Sequence, residues 1–539
     1  MTDLTERQAE PTAGADAEAT PVDRVVFGVA AALAVAVVAA GAVWPERFAT
    51  GSNEALGWVT GNFGWLFVLT SAGFVVFAAY LALTRYGNIK LGPDDSEPEF
   101  STFSWVSMMF ATGMGIGLMF WGVAEPLTHF NSPPLGRGEG GTPQAAESAM
   151  QYAFFHWGFH PWATYAVTGL AIGYFAYRKG YGNLISATFR PLLGERAGQA
   201  PGKAIDVIAI FATLFGSATS LGLGALQITG GIDDVFGRGS GSKVLAVAVI
   251  AVLTACFVLS AVSGVERGIK WLSNANAIAA VLLVFFLFVV GPTVFIMGTF
   301  TTSLGDYLTH LPAMSFNTGV YDSAASSWLG DWTIFYWAWW ISWTPFVGMF
   351  IARISKGRTI RQFVVYVILV PSLVSFVWFS ILGGSAIDEQ LNQGWSPPTL
   401  DDGSIALESS FFDLLREYPW GGFTVALAVF LVAIFFITGA DSASIVMGQL
   451  SQGGTEEPRR WLLVFWGVAT GAVAAVLLWA GGLDALQTLV ILVAAPFMLV
   501  LIGMCVSLLE ALRQEQFEST LPPRVRRAVE HAQRYSEGP

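Results

Sequence analysis

Charged side chains are scarce in this chain. Asp, Glu, Lys and Arg make up 12% of its 539 residues, about half of the roughly 25% usual in soluble globular domains, which excludes an ordinary water-soluble enzyme. Cysteine is nearly absent. Cys256 and Cys505 lie in separate apolar blocks, so neither a disulfide framework nor a CxxC metal pattern can be built. A secretory signal is also missing: the first 23 residues are rich in Ala, Thr and acids, without the basic start and short apolar core a signal needs, and the first helix is expected to be retained. The net charge of −12 gathers in that tail and in 388–417, a pattern that reads as solvated loops rather than a surface for a basic partner.

What the chain does have is apolar length. Hydrophobic residues reach 54% and fall into blocks of twenty or more, each able to cross a hydrocarbon core of about 30 Å as a helix. Twelve such spans can be read, at 25–44, 61–84, 103–124, 148–177, 207–232, 244–264, 275–300, 332–352, 363–387, 421–450, 461–483 and 485–509. The first is apolar on every side, unlike a one-striped globular helix or an alternating barrel strand. The fold class is therefore an all-α membrane bundle. With the amino terminus inside, 22 of the 27 Lys and Arg residues fall on the cytoplasmic side, so both termini are expected in the cytoplasm of a plasma-membrane protein. The stretch 301–330, free of Lys and Arg, suits an external loop with a short surface helix.

Several residues inside these spans are costly in lipid. Gly113, Gly115 and Gly117 alternate through Ala111-Thr112-Gly113-Met114-Gly115-Ile116-Gly117-Leu118, each costing about 1 kcal/mol of helix propensity relative to Ala, which marks a place for the helix to unwind. Unwound backbone at that depth must line a cavity or be buried; close packing through the GxxxG spacing of Gly113 and Gly117 is the competing reading. Trp157, Trp162 and Tyr165 gather on one arc of the fourth span, where Pro161 should distort the helix. Tyr336, Trp340 and Trp343 form one stripe of the eighth. An interfacial aromatic belt is the plain alternative, but these rings run several turns deep. Indole faces meeting at mid-depth make a cage for a cation without hydrogen-bond donors, the geometry that selects quaternary ammonium. His156 and His160 stand four apart with no carboxylate or third ligand evident, which favours packing over metal binding. Thr213 and Ser217 in the fifth span, and Thr438 in the tenth, offer hydroxyls to a small hard cation or to their own helices. Asp441, an acid in an apolar helix, marks either a functional group or the cap of a helix break.

Asp331-Trp332-Thr333-Ile334-Phe335-Tyr336-Trp337-Ala338-Trp339-Trp340 resembles the tryptophan signature of the betaine/choline/carnitine transporter family. The glycine stretch with its continuation Met119-Phe120-Trp121-Gly122-Val123-Ala124-Glu125-Pro126 is similar to the same family. So are Ala352-Arg353-Ile354-Ser355-Lys356-Gly357-Arg358-Thr359 and Ser220-Leu221-Gly222-Leu223-Gly224-Ala225-Leu226-Gln227.

The resemblance implies a LeuT-like 5+5 inverted repeat preceded by two extra helices. The divisions are an acidic tail 1–23, two added helices 24–102, a first repeat 103–300, an external loop 301–330, a second repeat 331–509 and a carboxyl tail 510–539. It implies that Trp157, Trp162, Tyr165 and Trp340 box a trimethylammonium head, and that Trp339, Trp343, Phe335 and Trp337 line entry, gate or exit. Backbone groups of Gly113, Met114, Gly115 and Gly117 would meet the substrate carboxylate. Sodium as coupling ion would use backbone oxygens of Ala111, Met114 and Phe435 with the Thr438 hydroxyl; at Gly439 the family pattern expects Ser, so one ligand is missing. A second sodium site would use Thr213, Ser217 and Phe346 beside the Tyr165 ring. Choline-selective relatives carry Asp where this chain has Gly117, which favours a zwitterion such as glycine betaine. The implied function is sodium-coupled symport of a compatible solute for osmoprotection by a homotrimer, with no enzyme activity, enzyme cofactor or nucleic-acid partner. The alternatives are proton-coupled or exchange transport of choline, carnitine, dimethylsulfoniopropionate or ectoine, and a non-transporting osmosensor.

Overall fold

A computed structural model describes residues 20–113, 115–236, 243–263 and 266–520. Helices α1 (Arg24–Val43) and α2 (Pro45–Leu83) come first. Asp23 caps α1 by accepting from the amides of Val25 and Val26, and Pro45 opens α2 at the position where a missing N–H costs nothing. Two interrupted pairs follow: α3 (Thr102–Gly113) with α4 (Ile116–Asn131), and α5 (Pro143–Trp157) with α6 (Phe159–Gly173). A single turn, α7 (Arg190–Leu193), precedes α8 (Ala200–Phe236), α9 (Lys243–Ser263), α10 (Glu266–Val290) and α11 (Thr293–Ser315). The remainder is α12 (Ser323–Leu329), α13 (Phe335–Ile354), α14 (Ile360–Asn392), α15 (Leu407–Arg416), α16 (Gly421–Ser451) and α17 (Arg460–Thr520). Two isolated bridges occur and no strand among the described residues.

Eight helices among the described residues are long and apolar enough to cross a membrane. The other spans read from the sequence fall on α13 and on the interrupted pairs, whose halves are each too short alone. Within α17, Gly482 (φ +67°) breaks the helix between the last two spans; a left-handed φ is what glycine adopts without steric cost. The seventh span needs correction. It stops at Val290, because Pro292 lacks an N–H and biases Gly291 away from helix. The stretch expected to be an external loop with a short surface helix holds the short α12 and, before it, the end of α11, which runs on through Ser315 along α5 and α14. The acid-rich segment 388–417 is also less solvated than its charge suggests: α15 buries Phe411, Phe412, Leu414 and Leu415 against α8 and α4.

Burial sorts the helices into layers. Of the most apolar stretch of α8, 83% is buried, against 22% for α1 and 17% for α9. α8 therefore forms the middle of the bundle with α13, α6, α14 and α17, while α1, α9 and α10 form the outside. The outer helices expose rows of large apolar side chains, among them Leu33, Val35, Val252, Leu259 and Leu282. Apolar area on that scale is unfavourable in water and costless against lipid tails.

Candidate functional site

Two helix breaks and one aromatic stripe meet in the middle of the bundle. The first break lies at Gly115, whose extended backbone (φ −165°, ψ −167°) precedes α4. The second lies at Gly158, between α5 and α6. The sequence points to Pro161 for this distortion, but Pro161 sits harmlessly in the first turn of α6, where its missing N–H has no partner to lose. Gly158 is required by crowding: a Cβ there would stand 2.9 Å from both Phe376 Cε1 and Tyr307 Oη. Tyr307 also caps the break by accepting from the Phe159 amide at 3.1 Å. A π-helical turn at 330–334 leads into α13.

Between these breaks lies a cavity of about 40 Å³ lined by Leu118, Trp157, Pro161, Trp162, Tyr165, Trp340, Trp343, Val347 and Ser375. Its walls are rings set edge to face: Trp157 against Trp340 (centroids 4.9 Å, 73°), Trp162 against Tyr165 (5.5 Å, 76°) and Tyr165 against Trp340 (6.3 Å, 77°). Trp339 backs the box, stacked on Trp340 at 4.8 Å, and Phe335 stacks on Trp339 at 5.7 Å. The buried Trp343 Nε1 has no partner among the described residues. Gly117 faces the same rings; a Cβ there would lie 2.9 Å from Trp339 Cη2 and 3.0 Å from Trp157 Cη2. The belt reading fails for these rings, which are buried in the interior and not spread around the rim.

The box lies midway along α13, and larger cavities open on either side of it. One of about 760 Å³ is lined by Asn53, Trp65, Asp331, Phe335, Asp484 and Gln487, at the start of α13. Another of about 350 Å³ is lined by Tyr177, Phe346, Arg353, Ser442, Gln449 and Glu456, toward its end. Phe335 and Phe346 thus stand at the two approaches, about 17 Å apart along the helix. Trp337 does not join them. It stacks on His160 (4.8 Å, 16°) and meets Phe155 edge-on, away from all three cavities.

The histidine reading is corrected by a carboxylate the sequence pattern did not single out. Glu125 is fully buried, accepting from Trp157 Nε1 (2.8 Å) and Tyr336 Oη (2.5 Å) on Oε2, with His156 Nδ1 at 2.7 Å from Oε1. His129 Nε2 lies 3.4 Å from Oε1, and His156 Nε2 lies 3.0 Å from Thr333 Oγ1. Glu125, His129 and His156 have ligand atoms within 4.8 Å of one another, a donor set a metal can use. In this structure, however, both carboxylate oxygens and both nitrogens of His156 already face internal partners. His160 packs as a ring on Trp337 and Phe155, its nitrogens unpartnered among the described residues. The signal for Glu125 was available: an acid within an apolar helix, the rule applied to Asp441. Asp441 itself lies in α16, which runs unbroken past it, so it caps no break.

Thr213 and Ser217 share a buried face of α8, with the Thr213 hydroxyl donating to Ala209 O at 2.9 Å. Thr438 donates to Ile434 O at 3.0 Å and Phe435 O at 3.3 Å in α16, which packs on α8. Among the described residues, a Cβ at Gly439 would meet nothing within 4 Å. Met114 and the surroundings of Ala111 and Gly113 lie outside the described residues.

A family model described as betaine/carnitine/choline family transporter matches residues 25–517. The glycine betaine transporter OpuD of Bacillus subtilis is 46% identical over 92% of this chain and 95% of its own. Glycine betaine transporter 1 of Vibrio parahaemolyticus is 42% identical over 91% and 94%. The betaine/ectoine transporter LcoP of Corynebacterium glutamicum is 41% identical over 94% and 82%. With its apolar helices, its buried aromatic box and these matches across nearly its whole length, the chain belongs to the betaine/carnitine/choline transporter family, as a multi-pass membrane transporter and not an enzyme.

Proposed function

We propose that this protein is a sodium-coupled symporter of a zwitterionic compatible solute, glycine betaine first, working by alternating access for osmoprotection. The single observation that carries this reading is the box of Trp157, Trp162, Tyr165 and Trp340 between two larger cavities on one helix. A trimethylammonium group has no N–H to donate, so it is recognised through ring faces, each contributing about 2 kcal/mol or more once desolvated. Two cavities with a closed box between them suit a path that opens to one side at a time. The first amides of α4, left without a side-chain cap at Gly115, give that helix a positive end that suits the carboxylate of a zwitterion. Relatives named for betaine transport at 46% and 42% identity support the same substrate, and the betaine/ectoine relative keeps ectoine as a second candidate.

In this reading twelve spans form two five-helix inverted repeats, 103–300 and 331–509, after two added helices. Both termini face the cytoplasm, following the Lys and Arg asymmetry, and the trimeric state is taken from the family. The test is uptake by proteoliposomes of a panel of labelled solutes. Saturable glycine betaine uptake well above choline and carnitine is expected; uptake of choline alone would sink the zwitterion assignment.

Gly117 gives a sharper expectation. Gly117→Ala drives a methyl against two rigid indoles, and such overpacking costs about 1–3 kcal/mol. The cost falls on the box walls, so the KM for glycine betaine should rise about tenfold while the thermal midpoint of the purified protein moves by only a few degrees. An unchanged KM would show that the rings are not held in this arrangement during transport.

A further inference from the structure

We infer that Glu125 is a positioning and specificity-determining residue: through hydrogen bonds from Trp157 and Tyr336 it fixes the aromatic box and supplies the buried negative charge that selects a cationic head. The inference rests on the box being the substrate site.

Geometry comes first. A carboxylate buried away from water is held by the donors around it, and two of the donors on Glu125 belong to rings of the box and its backing. Trp157 lines the cavity directly. Tyr336 lies edge-on to Trp157 (5.6 Å, 69°) and stacked on Trp340 (5.8 Å, 22°), so fixing its hydroxyl fixes the plane behind both walls. The third partner, His156, stacks on Tyr336 at 4.7 Å, and its backbone carbonyl accepts from Trp340 Nε1 at 3.0 Å. One side chain of α4 thereby ties together walls from α5 and α13.

Charge comes second. A neutral His156 with its proton on Nδ1 satisfies both Glu125 and Thr333, and with a neutral His129 beside Oε1 the cluster carries the full charge of the carboxylate. Among the described residues no Lys or Arg forms an ion pair with it. A negative charge behind the walls attracts a cation in the box, and an N–H or O–H bonded to a carboxylate leaves its ring richer in electrons, which strengthens the ring's attraction for a cation. An uncharged head of the same shape gains from neither effect.

The test uses the purified full chain and two ligands of equal shape: glycine betaine and 3,3-dimethylbutanoate, in which a carbon replaces the quaternary nitrogen. Binding is read by competition against labelled glycine betaine. For Glu125→Gln, which keeps the shape and removes the charge, the betaine Kd should rise at least tenfold while the Kd of the carbon analogue moves less than threefold. Glu125→Asp, which keeps the charge, should retain the wild-type preference within threefold. Betaine binding by Glu125→Gln with the wild-type preference between the two ligands would overturn the inference while leaving the box reading intact. Failure of the wild-type protein to bind betaine would instead sink the box reading, and this inference with it. If Glu125→Gln is not recovered folded, Tyr336→Phe carries the test, because it removes one donor and leaves the carboxylate; at least a threefold rise in betaine Kd is expected, and an unchanged Kd overturns the inference.

Discussion

Trp340→Leu is expected to lower kcat/KM for glycine betaine uptake by a hundredfold or more with normal amounts of protein in the membrane. Two losses add. The box loses a ring face worth about 2 kcal/mol to a desolvated cation. The bond from Trp340 Nε1 to His156 O, 3.0 Å long, also disappears, leaving a buried carbonyl beside the helix break without its donor, at about 1–3 kcal/mol. Each 1.4 kcal/mol is about tenfold in affinity, so either loss alone is measurable and both together bring uptake near background. Trp340→Phe separates them, since it keeps an aromatic face while losing the donor, and should fall between wild type and the Leu variant. Initial uptake rates against solute concentration, normalised to surface protein, decide the matter; a wild-type KM in Trp340→Leu would mean that this ring does not face the substrate.

The parts of the site carried by one helix were legible in the sequence. Tyr336, Trp340 and Trp343 recur at i, i+4 and i+7, and the structure keeps them on one side of α13, Trp340 and Trp343 lining the box and Tyr336 stacked behind Trp340. The glycine-rich break was legible for a similar reason, because propensity is a local property, and α3 does end at Gly113. What needed coordinates was everything set by contact between helices. Gly158 rather than Pro161 breaks the fourth span because Phe376 and Tyr307, far along the chain, leave no room for a side chain. Glu125 was visible as an acid in an apolar helix, but what it holds was not: its partners His156, Trp157 and Tyr336 come from other segments, and no spacing rule links them. Trp337 shows the converse: it belongs to the same aromatic run but lies 100° round the helix from Tyr336 and turns to His160 and Phe155 instead. Hydropathy alone also ran the seventh span through Gly291 and Pro292, because Val289, Val290, Val294 and Phe295 keep the stretch apolar on both sides of the turn.

Replacing external sodium with potassium should abolish accumulation of glycine betaine in proteoliposomes. A zwitterion carries no net charge, so uphill movement must draw on a coupled ion, and the oxygens offered by Thr213, Ser217, Phe435 and Thr438 suit a hard cation. A tenfold sodium gradient with a potential of about 100 mV supplies roughly 3.7 kcal/mol per ion, enough for roughly 500-fold accumulation with one sodium and the square of that with two. The plateau ratio therefore reads the stoichiometry directly, and because the solute is neutral the transport current counts the ions independently. Gly439 makes the expectation specific to this chain. The described residues around it leave room for a Cβ, so Gly439→Ser can add a hydroxyl one residue after Thr438 without a clash against them, and half-saturating sodium should fall severalfold at unchanged maximal rate. Full-rate accumulation in potassium, or one that follows a proton gradient, would overturn sodium coupling. Sodium dependence with no response to Gly439→Ser would keep the coupling and move the ion away from α16, toward the hydroxyls of α8.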